Sequence, residues 1–85
     1  MYTLARDVTL TPAEYGAVLL HHHTGRYWVM NDTGTTVLQE VLDSGSIDHA
    51  VERLAREFPD TTRDVIEDHS RALIETLVTA GMVAT

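Results

Sequence analysis

The apolar residues of this 85-residue chain change their spacing at Asn31, and that change restricts the possible folds more than any other feature. Up to Met30 the pattern is strand-like. Residues 2–10 (YTLARDVTL) are strand-prone but irregular, and residues 11–16 (TPAEYG) read as a connection. Residues 17–22 (AVLLHH) and 26–30 (RYWVM) are rich in the β-branched and aromatic side chains that fit a pleated, half-buried surface. The intervening HTG is a short turn in which Gly25 takes a positive φ without steric cost. Three antiparallel strands in a meander are the economical arrangement.

Beyond Asn31 the pattern is helical. Asn31 or Asp32 can cap a first helix carrying Val37, Leu38, Val41 and Leu42 on one face, closed by Gly45. Ser46 caps a second helix in which Ile47, Ala50, Val51, Leu54 and Phe58 recur at helical intervals, and Pro59 ends it. Thr61 with Asp64 resembles a capping box, with Asp in place of the usual Glu or Gln. The third helix runs to about Ala80, Gly81 suits its C-terminal cap, and MVAT finishes as a short extended tail. The expected fold is α+β, a three-stranded antiparallel sheet followed by three helices in a winged helix-turn-helix-like arrangement. Residues 1–85 are expected to form one domain, with a β-meander over 1–30 and a three-helix part over 31–85.

The third helix has unequal flanks. At 100° per residue, Ile66, Ser70, Leu73, Leu77 and Ala80 make the central buried stripe, while Asp64, Glu67, Arg71 and Glu75 turn towards solvent. Ile74 and Val78 form a bulky flank. Val65, His69, Ala72 and Thr76 form a mostly small one, which either receives a closely packed neighbour or leaves a furrow.

Composition excludes several function classes. Formal net charge is −7, and all six basic residues are arginine, so the field repels the phosphates that dominate nucleic-acid affinity. No cysteine is present, which removes disulfides, thiolate metal sites and a cysteine nucleophile. No apolar run approaches the roughly 18 residues needed to span a membrane. The start, MYTLARDVTL, lacks a basic head and an apolar signal core. A cytoplasmic protein is expected.

Two clusters invite chemistry. His21, His22 and His23 are consecutive, but neighbouring strand side chains point to opposite faces, so they cannot close on one ion. Asp68-His69-Ser70 spells a catalytic triad, yet consecutive helical residues diverge by 100° and cannot align as orienter, base and nucleophile. No catalytic residue, metal ligand or cofactor is expected. More suggestive is the backbone of residues 27–30. Edge strands are usually blunted with lysine, proline or bulges, and Tyr27, Trp28, Val29 and Met30 supply no charge or proline. Such an edge beside a small-residue furrow invites an extended peptide to add as a fourth strand. A DNA-binding winged helix is the rival, but its reading helix needs basic residues. Here Arg63 and Arg71 face Asp60, Asp64, Glu67, Asp68 and Glu75. A small histidine-based metal protein is a second rival.

VLL at 18–20, TGRYWVMN at 24–31 with Thr33-Gly34 close behind, VLQEVLDSG at 37–45 and ALIETLVTAGMV at 72–83 together resemble the PqqD-like family over nearly the whole chain. More narrowly, they resemble the small stand-alone B1 proteins of lasso-peptide biosynthesis. The resemblance implies a RiPP recognition element, a non-catalytic domain that captures the leader of a ribosomally made precursor peptide. It implies that the leader docks as a strand on Arg26–Met30 and fills the cleft towards Val65, Asp68, His69, Ala72, Leu73 and Thr76. It further implies two downstream partners, a separate B2-type leader peptidase and an ATP-dependent lasso cyclase. One departure stands out. Where the family carries an Asp-Val pair on the third helix, this chain has His69-Ser70, so the carboxylate's role falls to Asp68 or His69.

Overall fold

In the computed structural model, which describes residues 1–85, Asn31 ends a strand and caps a helix at the same time. Its main chain is extended, and its side-chain oxygen accepts the Gly34 N–H at 2.8 Å. The element order is β1 (Thr3–Leu4), β2 (Val8–Ala13), β3 (Gly16–His21), β4 (Tyr27–Asn31), α1 (Asp32–Ser44), α2 (Ile47–Glu57), α3 (Arg63–Thr79) and β5 (Val83–Ala84).

The sheet is the antiparallel meander β2-β3-β4. Register sets Leu10, Leu19 and Trp28 in one cross-strand row and Pro12, Ala17 and Met30 in the next, both facing the helices. Ala17, Leu19 and Met30 are buried. Thr9, Leu20 and Tyr27, then Thr11, Val18 and Val29, form the rows of the outer face. The alternation expected of a sheet with one covered face is therefore present. Gly25 has φ 76° in the turn, as expected.

The helices cover the inner face. α1 packs on β3 and β4 through Val37, Leu38 and Val41, ends at Gly45 with φ 76°, and donates the Gly45 N–H to the Val41 carbonyl. α2 is capped by Ser46, whose hydroxyl accepts the Asp48 N–H at 3.1 Å, and buries Ile47, Ala50, Val51 and Leu54. Arg53 ties the two helices by bonding Glu40 at 2.7 Å and Glu57 at 3.2 Å. α3 ends in a Schellman turn: the Gly81 N–H reaches the Val78 carbonyl, and the Met82 N–H reaches the Leu77 carbonyl. That turn sends Met82 and Val83 back into the core.

Several local expectations are corrected. The connection expected over 11–16 shrinks to Glu14 and Tyr15, because Thr11–Ala13 continue β2. Pro12 is tolerated there because β2 is an edge strand. The irregular first segment is two strands. β1 leaves the meander and pairs with β5, the Ala5–Val8 turn having Asp7 at φ 66°. The third helix is capped at Thr62 with no side-chain bond, so Thr61 and Asp64 form no capping box. Its buried stripe is Ile66, Ser70, Ile74 and Leu77, with Leu73 only half-buried, because α3 is rolled towards its bulky flank.

Candidate functional site

The two edges of the sheet differ chemically. The His21 N–H bonds the Arg26 carbonyl at 2.9 Å. With the β3–β4 register, alternation then turns the main-chain groups of Trp28 and Met30 towards β3 and those of Tyr27 and Val29 outward. The same alternation makes Ala17 face β4, so the nitrogen of its other neighbour, Pro12, lies on the open side of β2. That edge has lost a donor where an incoming strand would need one. The β4 edge keeps its donors and acceptors, and no strand of the protein pairs with it.

Alongside β4 runs the exposed flank of α3. Val65, His69, Ala72 and Thr76 are all exposed, so the small-residue flank is a furrow and no neighbour fills it. The furrow has two ends. Near the start of β4, one hollow is lined by Arg26 with Ala72, Glu75 and Thr76, and an adjoining one by Arg26, Tyr27 and Trp28 with Ala80 and Met82. Near the end of β4 lies a hollow of about 500 Å³ lined by Asn31 and Gly34 on one side and by Val65, His69, Ser70 and Leu73 on the other, with Leu54 of α2 and Phe58 at that helix's C-terminal cap. Val65 and Phe58, both lining this hollow, are each 43% exposed.

The expected site residues therefore divide. Tyr27 and Val29 are exposed on the outer face of the strand, Trp28 is half-buried, and Met30 belongs to the core. Arg26 lies just before the strand and joins its ladder only through its carbonyl. Ala72 and Thr76 line one end, and Val65, His69 and Leu73 the other. Asp68 is exposed and lines neither hollow. Asn31, Gly34 and Phe58 also line the hollow at the end of β4, and the sequence assigns none of them to the site: Asn31 reads there as a helix cap, Gly34 enters only with the family resemblance, and Phe58 is the last apolar position of the second helix.

The reactive-looking clusters are not assembled for catalysis. His22 turns to Thr9, its Nε2 lying 2.9 Å from the Thr9 hydroxyl, while the rings of His21 and His23 sit 6.4 Å apart. No group of three or more His, Asp or Glu side chains could hold a metal ion. On α3, Asp68 and His69 are exposed and Ser70 is buried, so the three diverge as helical geometry requires. No helix is long and apolar enough to cross a membrane.

A family model described as coenzyme PQQ synthesis protein D (PqqD) matches residues 16–83. A solved structure described as lasso peptide synthetase B1 complexed with the leader peptide is 30% identical, covering 99% of this chain and 98% of that one with a TM-score of 0.90. TbiB1 in complex with the TbiA(beta) leader peptide shares the fold at 21% identity, covering 95% and 93% of the two chains with a TM-score of 0.81. No curated protein matches the sequence.

Proposed function

This chain belongs to the PqqD family, and on that premise we propose that residues 1–85 act as one RiPP recognition domain, a non-catalytic adaptor for a lasso-type precursor peptide. The leader segment adds as a strand to β4 and is handed to a separate leader peptidase and an ATP-dependent cyclase. The observation that carries this reading is the unprotected β4 edge beside the open flank of α3. The likeness to a B1 protein solved with its leader peptide supports it.

In this scheme the outward N–H and C=O groups of Tyr27 and Val29 set the register of the leader, and Arg26 stands at the strand's start. Trp28 and Met30 anchor β4 to the core and keep that edge in place. Leader side chains on the cleft side enter beside Ala72 and Thr76 at one end and beside Val65 and Leu73 at the other. His69 lines the second hollow, whereas Asp68 lies one step round the helix, so the polar contact falls to His69. Burying each large apolar side chain contributes roughly 1.5–3 kcal/mol. Two or three such anchors contribute about 3–9 kcal/mol, to which main-chain pairing along β4 adds and from which the ordering of an extended peptide subtracts.

Proline at position 29 tests the edge directly, since it deletes one outward donor and no bond to β3. Val29→Pro is expected to weaken binding of a synthetic leader peptide by well over about tenfold. Circular dichroism should show native helicity. Unchanged affinity in a folded variant would refute strand addition.

A further inference from the structure

The helices cover one face of the β2-β3-β4 meander and leave the other open. A sheet solvated on one side ordinarily carries polar residues there. This one does not. Val18 and Leu20 of β3 stand beside Val29 and Tyr27 of β4, and only Thr9 and Thr11 of β2 are polar in those two rows. Tyr27 is 68% exposed and Val29 53%. Val18 and Leu20 are half-buried, yet neither joins the core. The chain has 13 acidic and six basic residues, and none of them falls in either row. A contiguous apolar patch that contains an aromatic residue and no charge marks a protein contact.

We propose that this outer face docks the leader peptidase, and docks it best when the leader is already paired with β4. The assignment rests on the leader-binding reading and adds the surface through which the peptide is passed on. A strand added to β4 turns every second side chain into the cleft and the others onto the outer face, beside Tyr27 and Val29. Adaptor and leader then present one continuous surface. Only the peptidase acts while leader and core are still joined, so that composite surface suits it and not the cyclase.

Size and charge argue against a second copy of this chain as the occupant. The three strands are up to six residues long. At about 4.8 Å between strands and about 3.3 Å per residue, their flat footprint is roughly 300 Å². Two such faces together would bury roughly 600 Å², against at least about 1,200 Å² in stable complexes. They would also bring together two chains of net charge −7. A bound leader adds a fourth strand and widens the footprint by about a third. The contact is therefore brief on the empty adaptor and firmer on the loaded one, as a hand-off requires.

Val18 and Leu20 lie on the central strand, away from the β4 edge, so changing them separates the two binding events. Binding of the purified peptidase that cleaves the same precursor is measured by biolayer interferometry, with and without saturating synthetic leader peptide. The unmodified chain is expected to hold the peptidase at least about fivefold more tightly when loaded. A double variant, Val18→Lys with Leu20→Lys, should lose more than about tenfold of that affinity. It should still bind labelled leader peptide, followed by anisotropy, within about twofold of the unmodified chain. Val18→Thr with Leu20→Thr keeps strand-forming residues and adds no charge. That pair should cost about threefold or more in peptidase binding, and it serves where the lysine pair does not fold. Peptidase binding that is unchanged in folded variants, indifferent to leader, or lost only in step with leader affinity would overturn the proposal. So would a chain that sediments as a dimer until the lysine pair separates it, because the face would then belong to a second copy. An unmodified chain that binds no leader in the anisotropy titration would instead sink the leader-binding reading itself.

Discussion

Gly16 lets the end of β4 lie close against the start of β3. It opens β3 opposite Asn31 with φ 150°, and a Cβ built there would collide with the Met30 carbonyl oxygen and the Asn31 carbonyl carbon. Both obstacles are backbone, so they cannot swing aside as a side chain would. Gly16→Ala is expected to cost at least about 2 kcal/mol, read as a lower urea midpoint at unchanged slope. Because the strand that must move is β4, leader affinity should fall as well, even under conditions where the variant is fully folded. Gly25→Ala is the contrast. No heavy atom lies within 4 Å of its Cβ position, so only the φ of 76° is penalised, at about 1–2 kcal/mol. The turn glycine was legible from its neighbours in sequence. The strand glycine was not, since its role exists only once residues 16 and 31 are in register.

At the scale of elements, local signals were readable where the physics is local. Asn31, Gly45, Ser46 and Gly81 mark helix ends because caps satisfy groups within a few residues. The β1–β5 ribbon was not readable, because Leu4 and Val83 meet across almost the full chain and neither segment carries a distinctive pattern. The roll of α3 was misjudged for a related reason. Leu73 and Ile74 are equally apolar, and only packing against the other helices decides that Ile74 is buried and Leu73 faces the hollow. That roll keeps the Ala72 side of the helix open. Ala72→Trp should therefore leave stability within about 0.5 kcal/mol, as surface substitutions usually do. It should also fill the hollow beside Arg26 and Thr76 and reduce leader affinity more than about tenfold. His49→Trp, on an exposed position of α2, controls for the added aromatic surface. Equal loss in both variants, or none in either, would mean that the peptide does not use this end of the furrow.

For the molecule as a whole, the sign of its charge separates peptide capture from the nucleic-acid binding that a strand meander with three helices can also serve. Net charge is −7, and part of the positive charge is already engaged. Arg53 is held by Glu40 and Glu57, and Arg71 lies 3.9 Å from Asp48 and 3.8 Å from Glu67. α3, which would have to enter a groove, presents Asp64, Glu67, Asp68 and Glu75 on its exposed surface or close to it. Nonspecific DNA binders show dissociation constants of about 10⁻⁴–10⁻⁶ M and lose about 10³–10⁵ in affinity between roughly 50 and 200 mM salt. This chain is expected to leave the anisotropy of a labelled duplex unchanged even at low salt. Leader binding should behave differently, because backbone pairing and apolar burial are little screened. The acidic surface favours a leader carrying basic residues, which adds a modest salt-sensitive part to an affinity set mainly in the furrow. Raising salt from about 50 to 500 mM should therefore weaken leader binding by less than about tenfold. A loss of several powers of ten would place the binding energy in surface charge instead, and the cleft between β4 and α3 would no longer account for recognition.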